Sequence, residues 1–210
     1  MEYKTEQVMP ADIEKRSFEI ITKELGDKKL IPGTELIVKR CIHTSADFDY
    51  ADNLCFSPGV VEKAKEALRS GASVVTDTHM AMAGINKKRL AAFGGKVHCF
   101  MSDDDVALKA RKAGCTRAVI CMEKAAETLA GQQLIFAVGN APTALIHLKE
   151  MIDEGRIKPS LIIGVPVGFV NVVPAKEMIM ETDIPYIVAR GRKGGSNIAA
   201  CIVNALLYSM

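Results

Sequence analysis

Tryptophan is absent from this 210-residue chain, and aromatic residues of all kinds make up only 5% of it. Proteins that hold single-stranded nucleic acid stack its bases on aromatic rings, so that class has little to build on here. An excess of one charge is also missing: 27 Lys and Arg stand against 25 Asp and Glu, a formal net charge of +2, and the basic residues are scattered. Without a stripe of cations to track phosphates, nucleic acid is not an expected partner. The longest near-apolar run, Ser160 to Ala175, is broken by Pro166, Asn171 and Pro174. It falls short of the ~20 residues that span a bilayer, so no membrane partner is expected. Met1 to Glu6 carry neither the basic nor the apolar region of a secretory signal, which makes a cytoplasmic location the expectation.

Motifs are missing as well. The cysteines at 41, 55, 99, 115, 121 and 201 form no Cys-x-x-Cys pair and stand at no zinc-finger spacing from a histidine; reduced, buried thiols and no metal site are expected. No Gly-x-Gly-x-x-Gly follows a strand-like run, and no Gly-x-x-x-x-Gly-Lys-Ser/Thr, Gly-x-Ser-x-Gly or His-x-x-x-His occurs. Nucleotide-dependent, serine-hydrolase and zinc-peptidase chemistries thus lack their sequence marks.

What remains is an ordinary globular composition, 49% hydrophobic and 25% charged. A chain of this length buries roughly 70% of the surface its unfolded form exposes, enough for a core without staples. No linker, repeat or low-complexity segment divides it, so residues 1–210 are expected to form one domain. Apolar runs rich in β-branched residues recur at Leu36 to Ile42, Ser73 to Thr76, Val97 to Phe100, Leu134 to Val138, Leu161 to Val165 and Tyr186 to Ala189. Between several of them, one-faced helical patterns end near Gly71 and Gly155, and another closes the chain with Ile198, Cys201, Ile202, Ala205 and Leu206. Strands that are apolar throughout, separated by such helices, predict a doubly wound α/β fold with a mostly parallel sheet covered on both faces.

Ligands of such sheets collect beyond the carboxyl ends of the strands. The segments expected there are Cys41 to Ser45, Thr76 to His79, Gly139 to Thr143, Gly164 to Gly168 and Arg190 to Ser196. A Gly-Asn-Ala-Pro-Thr turn entering a helix presents amide N–H groups to an anion, and Arg190, Arg192 and Lys193 before Gly194-Gly195-Ser196 suit a carboxylate or phosphate. His43, read as lying at the end of an apolar strand, is the candidate for proton exchange near neutral pH. His79 has a similar place, whereas His98 within a strand and His147 within a helix read as packing residues. Arg117 follows Gly114-Cys115-Thr116 at a predicted helix start, where a cation opposes the helix dipole.

Several segments together resemble one family: Ser17-Phe18-Glu19-Ile20-Ile21, the His43 segment, Phe56-Ser57-Pro58-Gly59, Thr116-Arg117, GNAPTAL at 139–145, GVPVGFVN at 164–171 and RGRKGGSNIAACIVNAL at 190–206. They stand in the order seen in precorrin-8X and cobalt-precorrin-8 methylmutases, over nearly the whole chain. The resemblance implies a three-layer α/β/α fold similar to flavodoxin's, and an isomerase of corrin (vitamin B12) biosynthesis. Such an enzyme moves a methyl group from C-11 to C-12 of a tetrapyrrole polycarboxylate and yields a corrinoid acid, hydrogenobyrinate or cobyrinate. It also implies a homodimer and no redox or group-carrier cofactor. By this likeness His43 is the catalytic residue, protonating or hydrogen-bonding the ring C nitrogen as the methyl migrates. Ser17, Arg40 and Arg117 fall on substrate-contact positions, and Asn86, which lies where the family has a small polar group, is expected to bind substrate with them. A non-catalytic corrinoid carrier with His43 as an axial cobalt ligand is the alternative, although the Asp-x-His-x-x-Gly context of cobalamin carriers is absent.

Overall fold

The computed structural model of the chain describes residues 5–210. After a 3₁₀ turn at Pro10–Asp12, the elements run α1 (Ile13–Leu25), α2 (Glu35–Ser45), α3 (Tyr50–Asn53), β1 (Leu54–Phe56), α4 (Val60–Arg69), β2 (Ser73–Thr76), α5 (His79–Gly84), α6 (Lys87–Ala91) and β3 (Val97–His98). The second half continues with α7 (Asp104–Ala113), α8 (Arg117–Thr128), β4 (Leu134–Val138), α9 (Pro142–Asp153), β5 (Leu161–Gly164), α10 (Val172–Met180), β6 (Tyr186–Ala189) and α11 (Ser196–Tyr208).

The strands lie in the order β1-β6-β5-β4-β2-β3. All pairings are parallel except β1 with β6, which is antiparallel through Leu54↔Ala189 and Phe56↔Ile187. Without that short edge strand, the order is the flavodoxin-like one, with the direction of winding reversing between β2 and β4. Successive residues of the central strands go to opposite cores. Val74, Ile135, Ala137, Ile163 and Ile187 join the layer of α1, α2, α4 and α11, whereas Val75, Phe136, Val138, Ile162 and Val188 join that of α8, α9 and α10. With both faces covered, the alternation expected of a half-exposed strand disappears and each reads as a continuous apolar run.

Two expectations need correction. Leu36 to Ile42 is not a strand but most of α2, so His43 lies in the last turn of a helix. Its buried residues, Ile37, Val38, Cys41 and Ile42, are spaced as one helical stripe, and packing against α11 outweighs the weak strand preference of Ile and Val. The strand read as Val97 to Phe100 is confined to Val97–His98. The short β1 had no counterpart in the reading of the sequence, since three residues show no period.

At the reversal, the end of β4 meets the start of α11. A Cβ on Gly139 would stand 2.6 Å from Ser196 Cα and 2.8 Å from the Gly195 carbonyl oxygen, both backbone atoms. Gly194 is tighter still: its φ is +155°, and a Cβ would come within 2.1 Å of the Val165 carbonyl oxygen. We therefore expect Gly139→Ala to cost about 1–3 kcal/mol through overpacking and to lower Tm by about 3–9 °C. Thermal unfolding followed by circular dichroism checks this, and an unchanged midpoint would show that the α11 start yields.

Candidate active site

The last turn of α2 presents side chains to two neighbouring grooves. His43 is exposed and lines a groove of about 400 Å³ with Ser17, Ile20, Ile21, Glu24, Ile42, Ala46 and Phe48. The imidazole lies 5.5 Å, centroid to centroid, from the Phe18 ring, tilted by 50°. Ser17 Oγ donates to the Ile13 carbonyl at 2.9 Å, which fixes the hydroxyl and leaves its oxygen able to accept from a ligand. Beside His43 the chain leaves α2 through Ala46, whose φ of +54° places a non-glycine residue in the left-handed region. Such residues carry backbone strain of order 1 kcal/mol and cluster at functional sites.

Arg40, one helical turn before His43, and Thr44, the residue after it, face a second groove of about 400 Å³, which runs along α11 from Asn197 to Tyr208. The Arg40 guanidinium lies over the Tyr208 ring at 4.7 Å and the Phe18 ring at 5.5 Å, so Phe18 borders both His43 and Arg40. Asn86 joins the same cluster. Its amide nitrogen donates to Tyr208 Oη at 3.2 Å, and its amide oxygen caps α6 by accepting from the Arg89 N–H at 3.0 Å. Arg89 in turn lies over Tyr208 at 5.5 Å and donates to the Leu207 carbonyl at 2.6 Å.

Ser17, Arg40, His43 and Asn86 thus gather around α2 and the end of α11. Arg117 does not join them. It is exposed at the first position of α8, which packs in the other helical layer. Thr116 caps that helix and exchanges a 2.8 Å hydrogen bond with Thr143 at the start of α9, so Arg117 borders the carboxyl edge of the sheet.

That edge differs from the expected anion cradle. The amides of the Gly-Asn-Ala turn point inward to Asp77, fully buried beyond the end of β2. One carboxylate oxygen accepts from the Gly139 N–H at 2.8 Å, the other from Asn140 at 2.8 Å and Ala141 at 2.7 Å. The anion served by this turn is internal. Burial pushes the Asp77 carboxyl above its ordinary value, while the three N–H donors oppose that rise. Nor are the cations of the 190–193 segment left free for a carboxylate or phosphate. Arg190 pairs with Glu177 at 3.1 Å, Lys193 with Asp47 and Asp49 at 2.6 Å each, and Arg192 lies over the Phe169 ring at 5.4 Å. The segment is held from within by Lys176, fully buried, whose ammonium donates to the Gly191 and Lys193 carbonyls at 2.8 and 2.9 Å. Burial brings the Lys176 pKa down to about 8.

The remaining histidines have other partners. His79 opens α5 and shares a 2.7 Å hydrogen bond with Ser102 Oγ. His98 stacks on Phe100 at 6.0 Å, as a packing residue should. His147, also read as packing, is instead bonded to Glu123 at 2.6 Å and Glu150 at 2.8 Å. The thiols are free, as expected, though Cys55, Cys99 and Cys115 are only half-buried. Sequence reading missed Tyr208, Lys176 and the role of Asp77. A lysine on the buried stripe of α10, between Ala175 and Ile179, was the one signal available for Lys176.

Asp77→Asn puts an amide NH₂ where one oxygen accepts N–H groups. We expect a loss of about 3 kcal/mol, because buried donors then lose their acceptor. Urea unfolding measures it, and an unchanged midpoint would deny Asp77 its structural role.

Comparison with known proteins points to one family. The family model described as "CbiC: Precorrin-8X methylmutase" matches residues 12–209. The chain is 43% identical over 205 residues to the cobalt-precorrin-8 methylmutase of Priestia megaterium, covering 98% of this chain and 90% of that one. It is 43% identical over 206 residues to the enzyme of the same name from Salmonella typhimurium, covering 96% of each. A crystal structure of precorrin-8X methylmutase from Thermus thermophilus superposes with a TM-score of 0.85 at 38% identity, over 94% of this chain and 96% of that one.

Proposed function

The chain belongs to the precorrin-8X methylmutase family, the isomerases of corrin biosynthesis, and we propose that His43 carries its reaction while Ser17, Arg40, Asn86 and Arg117 hold the substrate. The reaction moves a methyl group from C-11 to C-12 of precorrin-8X or cobalt-precorrin-8, giving hydrogenobyrinate or cobyrinate. The observation that carries the assignment is the setting of His43: an exposed imidazole with no hydrogen-bond partner among the described residues, in a largely apolar groove beside Ser17 and Phe18.

A methyl that migrates on a conjugated macrocycle carries its bonding pair, so the shift is eased when electron density is drawn from the carbon that receives it toward a nearby ring nitrogen. An imidazole that donates a proton or a hydrogen bond to the ring C nitrogen does this, and it recovers the proton once the methyl has moved. No atom enters or leaves, so the remaining work is orientation. The apolar lining of the His43 groove suits the face of the ring. Arg40, Asn86 and, across the carboxyl edge, Arg117 suit its acid arms, which are anions at neutral pH.

In this reading residues 1–210 act as one methylmutase domain in the cytoplasm, where free thiols such as these six persist. The protein works as a homodimer. Phe169 and Val170, 81% and 79% exposed beside Val167, offer the kind of apolar surface that a partner covers. A carrier role with His43 on cobalt is disfavoured, since the matching relatives bear methylmutase names.

Absorbance spectra recorded on mixing the protein with precorrin-8X, and separately with cobalt-precorrin-8, test the activity through the appearance of the corrinoid acid. We expect His43→Ala to lower kcat by at least about a hundredfold, the usual share of a general acid, with its circular dichroism unchanged. Activity within about tenfold of the parent would remove His43 from the chemistry. Arg117→Ala should raise KM about tenfold or more, by loss of a charge-assisted contact. Unaltered saturation kinetics would leave Arg117 a solvated side chain.

A further inference from the structure

Arg40 is held more firmly than its present partner requires. Its side chain is 17% exposed, and its guanidinium is fixed over the rings of Tyr208 and Phe18 at 4.7 and 5.5 Å. A guanidinium binds a carboxylate best along one edge, through two parallel N–H bonds, and the Nε–Nη2 edge is such a fork. Here Nη2 donates to Glu14 Oε1 at 2.6 Å, while Nε is buried and finds no acceptor among the described residues. The bidentate edge is half used, and a buried donor without a partner is costly.

Glu14 is poorly anchored by comparison. Its side chain is 54% exposed in the first turn of α1. It lines the Arg40 groove and also the open outer groove of α1, beside Lys15 and Lys23. More than half exposed, it can turn outward into that open groove without unpacking a buried neighbour.

We propose that Glu14 is an internal stand-in for a carboxylate arm of the substrate. It keeps Arg40 extended over Tyr208 while the site is empty and cedes Nη2 to the arm, which takes Nε and Nη2 together and satisfies the donor that Glu14 leaves unpaired. The proposal rests on the methylmutase reading and adds to it a residue that sets affinity without taking part in the methyl shift. An arm wins this exchange only if it is ionised and reaches both nitrogens, so Glu14 biases the Arg40 groove toward free acids of the right reach.

The test is a visible-absorbance titration with cobyrinate on the intact protein and on Glu14→Gln, Glu19→Gln and Arg40→Gln, singly and with Glu14→Gln combined with Arg40→Gln. Glu19 is the control, an exposed acid on the same helix that pairs with Arg16 at 3.4 Å. Glu14→Gln should bind cobyrinate about three- to fivefold tighter, the range set by removing one partly exposed ion pair. Glu19→Gln should match the parent, and the gain should vanish when Arg40 is also replaced. Unchanged or weaker binding by Glu14→Gln, with the parent still binding, would overturn the proposal and leave the family reading intact. A gain equal to that of Glu19→Gln, or one that survives the loss of Arg40, would overturn it as an effect of net charge. If the parent itself fails to bind at tens of micromolar, the methylmutase reading falls, and the stand-in falls with it.

Discussion

A carboxylate buried at the reversal point of the sheet ties the carboxyl ends of β2 and β4 together. Taking an ionised carboxylate out of water costs several kcal/mol unless donors replace the lost hydration. Asp77 meets that demand with three consecutive backbone N–H groups from the end of β4. The bonds join β2 to β4 beyond their last shared ladder residues, Thr76 and Ala137. Related sheets leave a crevice for ligand at this reversal. Here it is filled from inside, and the start of α11 presses so closely on Gly139 that no side chain fits between them. Thr78 adds a 2.7 Å hydrogen bond to Ser196, and Thr116 reaches Thr143 on the other side. A line of short polar contacts thus runs along the carboxyl edge from the α8 start to the α11 start.

With the crevice closed, the grooves around His43 and Arg40 lie in the helical layer over one face of the sheet. α11 is apolar and buried along most of its length, and its few polar residues do the fastening. Asn204 accepts from the Asn86 N–H at 2.8 Å and donates to the Gly84 carbonyl at 2.8 Å, which staples the joint between α5 and α6 to α11. Tyr208 receives Asn86 and lies under two guanidinium groups. α2 packs one stripe on this helix, and the residues off that stripe, Arg40, His43 and Thr44, are left to face the grooves. Thr44 also donates to Cys201 Sγ at 3.2 Å, a second tie between the two helices. The positions of the imidazole and the guanidinium therefore follow from how α2 is rotated against α11.

Sequence pattern read the sheet better than the site. The four central strands were visible because burial on both faces leaves uninterrupted β-branched runs, a signal that tertiary context strengthens. The same signal misled at Leu36 to Ile42. A short apolar run does not distinguish a buried strand from a helix whose exposed positions are few, and Lys39 with Arg40 was the only interruption. His43 was singled out on two grounds, a strand end that is in fact the last turn of a helix and the family likeness of the motifs around it, and only the first depends on the misread element. The glycine-rich turn at 139–141 was recognised as an anion cradle, while its anion lay 62 to 64 residues earlier in the chain.

The sequence by itself determined the four central strands, the two-sided burial of the sheet and the family. These depend on local periods and contiguous motifs, which are written along the chain. Tertiary structure alone decided which polar groups are already spent. It gave the 139–141 amides to Asp77, the loop carbonyls to Lys176, Lys193 to two aspartates, and one half of the Arg40 fork to Glu14. Each of these pairs joins residues far apart in sequence. Whether a charged side chain is free for a ligand depends on the partner that folding brings beside it, and no local pattern encodes that partner.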